Sequence, residues 1–133
     1  MIVLPDTSIW VDYLRHGTRR PTGRTVDRLL AERAIVVCGP VLAELLAGTP
    51  PDARGELWHL LSVLPWARLK VEEWRVAGDV AATLRQKGET VALTDITIAV
   101  AAAGAGAAVW TQDTDFDRIA GVLPAFSRYQ PSG

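Results

Sequence analysis

Four acidic residues lie where the sequence predicts either the end of a strand or the start of a helix. Asp6 follows the aliphatic residues 2–4, and Asp113 follows the apolar run 107–110. Asp95 lies in the first turn of a predicted apolar helix, and Glu44 lies one turn inside another. Chemistry in α/β proteins is placed at the carboxyl edge of the sheet, where parallel strands end together. We therefore expect the four carboxylates to meet at one edge.

Taken singly, each acid has an ordinary structural explanation. Asp6 could accept backbone amides in a turn before a helix. Glu44 could be a solvated helix residue, which is the usual state of a glutamate. Asp95 could stabilise a helix start through the helix dipole. The acids that follow the last strand could form a polar turn with no further role.

Considered together, the acids raise an electrostatic problem. Two carboxylates 4 Å apart repel by about 4 kcal/mol at an effective dielectric constant near 20. Either the acids lie apart or a cation joins them. Ligands that are all oxygen favour a hard ion, Mg²⁺ or Mn²⁺, whereas His16 and His59 are too isolated to suggest zinc.

The order of apolar and polar segments predicts an α/β fold. The sequence indicates strands at 2–4, 34–38, 65–69 and 107–110, with an edge strand at 125–129. Predicted helices begin near residue 9 and then cover 25–33, 39–47, 57–64, 72–87, 96–103 and 116–119. Trp74 and Val76 are expected on the inward face of the helix 72–87. Strands that alternate with helices predict a mostly parallel sheet covered on both faces.

Bulk composition indicates one globular domain. The chain has 133 residues, 49% of them hydrophobic, and a net charge of −1, so any nucleic-acid binding must come from a local patch. The single cysteine, Cys38, allows no internal disulfide and suits the reducing cytoplasm. No basic region precedes the first apolar residues, so we expect no signal peptide. The apolar stretch 96–110 is too short to span a membrane.

Four segments carry a pattern that extends over the whole chain. They are IVLPDTSIW at 2–10, PVLAEL at 40–45, LTDITIA at 93–99 and TQDTDF at 111–116. In order and spacing they resemble the four motifs of PIN-domain ribonucleases. In length and in the residues of its motifs, the chain most resembles the VapC toxins of bacterial VapBC toxin–antitoxin pairs. One such motif is a weak signal, but four in order are a strong one.

The resemblance implies a single PIN domain over 1–133, with a doubly wound sheet and helices on both faces. It implies that the acidic pocket contains Asp6, Glu44, Asp95 and Asp113. Asp115 is a second candidate for the last position. The hydroxyl residues that the resemblance places in support of these acids are Thr7, Ser8 and Thr111.

The resemblance also implies an activity and partners. The expected activity is Mg²⁺-dependent endonucleolytic cleavage of RNA, with Mn²⁺ as a substitute and water activated by the ion as the nucleophile. The expected partners are a second copy of the chain and a VapB-type antitoxin, in a heterotetramer or a larger complex. Thr7 and Ser8 have no His or Lys placed to activate them, which argues against covalent catalysis.

A cluster of arginines follows the first predicted helix. Its members lie in a predicted loop: Arg15, Arg19, Arg20 and Arg24. They could clamp the RNA backbone close to Asp6, or they could be solvated loop residues. The five tryptophans are expected in the core or at a dimer interface rather than as base-stacking platforms.

Two other functions fit parts of the sequence. A haloacid-type phosphatase also begins with a strand that ends in aspartate, but it requires a second aspartate where Ser8 stands. A non-catalytic PIN-like module that binds RNA or a partner remains the main alternative to the nuclease. Loss of one of the acids would favour it, and none is missing.

Overall fold

Strands and helices alternate along the chain, as the α/β prediction requires. The structure is a computed structural model, and it describes residues 1–132. The strands are β1 Ile2–Pro5, β2 Val37–Cys38, β3 Trp66–Ala67 and β4 Ala107–Trp110. The helices are α1 Thr7–His16, α2 Pro21–Ala31, α3 Gly39–Ala47, α4 Pro51–Ser62, α5 Val71–Gln86, α6 Leu93–Gly104 and α7 Asp115–Ala120, with a 3₁₀ turn at Gly17–Arg19.

The strands form a parallel arrangement whose centre is β1. β1 pairs in parallel with β4 from Ile2 opposite Ala107 to Pro5 opposite Trp110. β2 pairs in parallel with β3, and a bridge between Val3 and Ile35 joins the two pairs. A further parallel bridge, from Val109 to Arg128, extends the edge beyond β4. The carboxyl ends of β1 and β4 therefore lie side by side.

The core surrounds β1, β4 and α6. Every residue of β4 is buried, and three of the four residues of β1 are buried. Because neighbouring side chains on a strand point to opposite faces, this burial shows that the sheet is covered on both sides. Seven consecutive residues of α6, from 96 to 102, are also buried, which confirms the predicted enclosed helix. No helix within residues 1–132 is both long and apolar enough to cross a membrane.

The predicted strand 2–4 extends by one residue, so that Pro5 is the last residue of β1. Backbone amides along β1 alternate between neighbours: Val3 donates to the carbonyl of Ala34, and Asp6 donates to the carbonyl of Trp110. The position of Pro5 therefore faces β2. On that side the amide of Val37 donates to Pro65 instead. The sheet divides at this point, so the missing amide of proline removes no ladder bond.

Several predicted boundaries are wrong, and two of them affect the helices near the arginines. The predicted loop around 15–24 is almost wholly helical, because α1 continues to His16 and α2 begins at Pro21 rather than at residue 25. Proline is well suited to the first position of a helix, since it has no amide to leave unpaired. The helix predicted at 57–64 begins at Pro51 and ends at Ser62.

The predicted strands at 34–38 and 125–129 are mostly not strands. Only Val37 and Cys38 form a ladder in the first, because the chain changes its partner from β1 to β3 after Val36. The second is reduced to the single bridge at Arg128. Short contacts of this kind depend on neighbouring strands and leave no periodicity in the sequence.

Trp74 and Val76 were predicted to face inward on α5, but both are exposed. The buried face of α5 is the narrow stripe Ala77, Val80 and Leu84. Trp74 lies in the first turn, where 56% of its surface is accessible. Together with Trp58 and Trp66 it lines a surface cavity of about 570 Å³. Trp10 and Trp110 are buried, as expected for core residues.

Gly23 allows α2 to pack against the 3₁₀ turn. A Cβ atom at this position would lie 1.8 Å from the carbonyl oxygen of Gly17. We therefore expect Gly23→Ala to lower the free energy of unfolding by about 2–3 kcal/mol, because backbone must move to relieve the overlap. Gly78→Ala is the matched control, since open space surrounds that helical position, and it should raise stability by about 0.5–1 kcal/mol.

Urea unfolding of both variants measures the difference. Equal stability of the Gly23 and Gly78 variants would contradict the close approach of α2 to the turn.

Candidate active site

Asp6 is held at the end of β1 by three donors. One carboxylate oxygen, Oδ1, accepts from the Ser8 hydroxyl at 2.6 Å and from the backbone amide of Ile9 at 3.3 Å. The other, Oδ2, accepts from the Thr111 hydroxyl at 2.5 Å. Asp6 is thus the N-cap of α1 as well as the most buried acid of the site, only 6% exposed. Hydrogen bonds to the charged form stabilise the carboxylate.

Thr111 connects the ends of the two central strands. Its hydroxyl donates to Asp6 and accepts the backbone amide of Asp113 at 2.9 Å. The carboxylate of Asp113 in turn accepts the backbone amide of Asp115 at 2.9 Å. A continuous chain of hydrogen bonds therefore orders the loop after β4 against the end of β1.

Glu44 reaches the same region from α3. The Thr7 hydroxyl donates to its Oε1 at 2.8 Å across 37 residues of sequence. Thr7 and Ser8 are adjacent at the start of α1, and each hydroxyl fixes one acid. Glu44 is exposed, so this contact decides where its flexible side chain lies.

The pKa of Asp95 is raised by its burial and by the other acids of the site. Asp95 lies in the first turn of α6, and its pKa is raised from 3.8 to about 6. Burial is the largest cause. The remaining causes are the negative charges of Asp113, Glu44, Asp6 and Asp115, in that order. All of the sequence-predicted acids are therefore close enough to Asp95 to disfavour its ionised form.

Three of the acids form a tighter group. Asp95, Asp113 and Asp115 each offer a carboxylate oxygen, and these atoms lie within 4.8 Å of one another. Asp6 and Glu44 lie beside this group rather than within it. Three carboxylate oxygens in this arrangement are a donor set that suits a hard divalent ion. Burial and then the charges of the neighbouring acids raise the pKa of Asp95, and a bound cation would offset the second of these causes.

Comparison with known proteins identifies the fold. The PIN domain family matches residues 3–122 of the chain. The chain belongs to the PIN-domain family. Among curated proteins it is 37% identical over 126 residues to a VapC ribonuclease of Mycobacterium bovis and to ribonuclease VapC11 of Mycobacterium tuberculosis. Each alignment covers 90% of this chain and 92% of the relative.

Solved structures share the architecture of this PIN domain at lower sequence identity. VapBC2 of Rickettsia felis, bound to a promoter DNA fragment, aligns with a TM-score of 0.76 and 23% identity over 99% of this chain and 100% of the other. VapC20 of Mycobacterium tuberculosis, described as a toxin that cleaves the sarcin–ricin loop, aligns with a TM-score of 0.64. Its identity is 17%, and the alignment covers 97% of this chain and 99% of the other.

Two arginines that the sequence analysis did not single out support the acidic loop. Arg118 lies one turn after Asp115 on α7, and the two side chains form an ion pair at 2.7 Å. Arg128 donates to the backbone carbonyl of Thr111 at 3.1 Å and pairs with Asp117 at 2.5 Å. The spacing of Arg118 from Asp115 is a helical one that sequence could have revealed. Nothing local connects Arg128 with Thr111.

Arg15, the first residue of the predicted arginine cluster, lies further from Asp6 than the sequence suggested. Arg15 lies nine positions after Asp6, a rise of about 14 Å along the axis of α1. Arg19 donates to the carbonyls of Arg15 and His16, and Arg24 donates to the carbonyl of Thr18. Arg20 pairs with Asp12 at 3.7 Å. Arg15 is therefore not close to Asp6, because nearly the whole length of α1 lies between them.

The raised pKa of Asp95 predicts how stability changes with pH in the absence of metal. The ordinary pKa of an unfolded aspartate is about 3.9, below the folded value of about 6. The folded protein therefore holds this proton more tightly, and stability falls as the pH rises from about 4 to about 6. At pH 7.5 in EDTA, Asp95→Asn should stabilise the protein by about 1–2 kcal/mol, after allowance for screening by water.

Urea unfolding in EDTA at pH 4 and pH 7.5 measures this effect. Asp79→Asn is the control, since Asp79 is an exposed acid on α5. A variant at Asp95 that is less stable than wild type at pH 7.5 would contradict a pKa of Asp95 raised by burial and neighbouring charge.

Proposed function

We propose that this PIN domain, taken as residues 1–133, is an endoribonuclease that uses Mg²⁺, with Mn²⁺ as a substitute. The main support is the group of three carboxylate oxygens within 4.8 Å of one another. The raised pKa of Asp95 adds Asp6 and Glu44 to the same electrostatic environment. The proposed metal ligands are Asp95, Asp113 and Asp115, with Asp6 and Glu44 completing the acidic site.

The residues of the chain prepare the site before any substrate arrives. Thr111, Ser8 and the amide of Ile9 fix both oxygens of Asp6, and Thr7 fixes Glu44. Asp95, Asp113 and Asp115 would hold a divalent ion, which would supply a lowered pKa for a water nucleophile and positive charge for the phosphate oxygens. Preorganised ligands avoid the cost of arranging flexible side chains during the reaction.

The hydroxyls at the start of α1 favour hydrolysis by water over covalent catalysis. Thr7 and Ser8 both donate to carboxylates, so their hydroxyl groups serve to position acids. Neither hydroxyl has a His or Lys partner among the hydrogen bonds of residues 1–132. A side-chain nucleophile usually needs such a base.

The relatives suggest the biological setting. The curated relatives are named VapC ribonucleases, and solved neighbours from Rickettsia felis and nontypeable Haemophilus influenzae are VapBC pairs. We accordingly propose that this chain is the toxin of such a pair in the cytoplasm. It would act as a homodimer and be neutralised by a VapB-type antitoxin within a heterotetramer or larger complex. The retention of all four motif acids favours this enzyme over a non-catalytic module.

Loss of one central carboxylate should abolish cleavage. Asp6→Asn keeps the shape of the side chain but removes the charge, so we expect the rate of RNA cleavage in Mg²⁺ to fall by about 100-fold or more. Addition of EDTA to wild type should stop cleavage, and excess Mg²⁺ should restore it. Asp52→Asn, an exposed acid in the first turn of α4, is the control and should cleave normally.

Cleavage of a 5′-labelled RNA by purified protein provides the measurement, with circular dichroism to confirm folding. Wild-type rates in the Asp6 variant, or full activity in EDTA, would refute the metal-dependent mechanism.

The arginines of the cluster are proposed to contact the RNA backbone. Arg15, Arg19 and Arg24 pair with no carboxylate within residues 1–132, so their charges are available to phosphates. Replacement of all three by Gln retains hydrogen-bond donors but removes three charges. RNA binding should weaken, and the slope of log K against log salt should decrease by about 2, because each phosphate contact contributes about 0.7 on single strands.

Fluorescence anisotropy with single-stranded RNA at several salt concentrations tests this change. Arg85→Gln on α5 is the matched control. An unchanged salt slope in the triple variant would show that these arginines are solvated residues only.

A further inference from the structure

A second cavity adjoins the acidic site but contains none of the proposed metal ligands. It has a volume of about 530 Å³ and opens between the first turns of α2, the end of β4 and the segment 128–130. The side chains that the argument below uses are Thr22, Thr25, Gln112, Asp117, Arg128 and Gln130. A cavity of this volume is within the range that binds small organic groups.

Thr111 and Gln112 connect this cavity with the proposed metal site. Thr111 lines the cavity, while its hydroxyl is bonded to Asp6 and to the amide of Asp113. Gln112 lines the cavity and directly precedes Asp113 in the chain. An RNA strand whose phosphate lies at the acids would therefore have a neighbouring nucleotide within reach of this cavity.

The charges in the cavity wall cancel, and uncharged polar groups remain. Asp117 and Arg128 are paired with each other at 2.5 Å, which leaves no free cation to attract a phosphate. In contrast, Thr22, Thr25, Gln112 and Gln130 have no side-chain hydrogen bond to another part of residues 1–132. Their hydroxyl and amide groups can both donate and accept, which matches the edge of a nucleobase.

We propose that this cavity binds the base of a nucleotide next to the scissile phosphate, and that Gln112 reads the edge of that base. The proposal rests on the ribonuclease function proposed above and adds a determinant of its sequence preference. Sequence-specific recognition of RNA acts mainly on unstacked bases of single strands, whose edges are free to bond. A primary amide offers one donor side and one acceptor side, so it distinguishes bases by hydrogen bonding.

The experiment compares Gln112→Ala with wild type on a randomised single-stranded RNA pool, with cleaved ends mapped by sequencing. Gln112→Ala should reduce the base preference at one position beside the cut by about fivefold or more, the range for a lost pair of hydrogen bonds to a base. Thr25→Val is a second variant in the same cavity and should alter the preference at the same position. Gln86→Ala, on the exposed end of α5, is the matched control and should keep the wild-type profile.

A binding measurement separates failure of this inference from failure of the nuclease assignment. Anisotropy in EDTA with four short RNAs that differ at one base reports discrimination without cleavage. Loss of discrimination in the Gln112 and Thr25 variants supports the cavity even if wild type does not cut. If wild type cuts RNA but both variants keep its profile and its discrimination, the inference is overturned while the nuclease stands. A change in binding to a protein partner alone would equally overturn it.

Discussion

Mutual repulsion among carboxylates is the constraint on which the site depends. Burial, together with the negative charges of Asp113, Glu44, Asp6 and Asp115, raises the pKa of Asp95 to about 6 at this edge of the sheet. Neutral donors hold Asp6 and Glu44 in place: the hydroxyls of Thr7, Ser8 and Thr111 each donate to one of these two carboxylates. Arg118 offsets part of the charge on Asp115. The remaining negative charge of the site is available to a cation, at the expense of stability when none is bound.

Two features of the sheet near β1 bring the acids together. The parallel register of β1 with β4 brings Asp6 beside the loop that carries Asp113. After Val36 the chain leaves β1 and pairs with β3 as strand β2. Helix α3, which carries Glu44, begins directly after β2. The buried face of α6 fixes the helix whose first turn carries Asp95. Asp6, Asp95 and Asp113 thus stand beside the start or end of an element packed in the core, whereas Glu44 lies within α3.

The sequence was informative where function depends on local pattern and much less so where it depends on tertiary contact. The strand at 107–110, the buried helix after Asp95 and the meeting of the acids follow from hydrophobic runs that end at carboxylates. Trp74 was misplaced because helical spacing gives a face but not the width of its buried stripe. The link from Arg128 to Thr111 spans 17 residues and includes the short helix α7, so no periodicity could reveal it.

The first strand pairs with a strand more than one hundred residues later. This separation limits how early the protein can fold during its synthesis. Contacts at such separation form slowly and only after the distant segment exists. During synthesis, β1 and the hydroxyls after it leave the ribosome long before Ala107–Trp110 is available as a neighbour. A nascent chain therefore carries Asp6 without Thr111 or Asp113, and the acidic centre cannot assemble until β4 and the loop after it have been synthesised. Premature termination anywhere upstream would yield fragments that lack a complete centre.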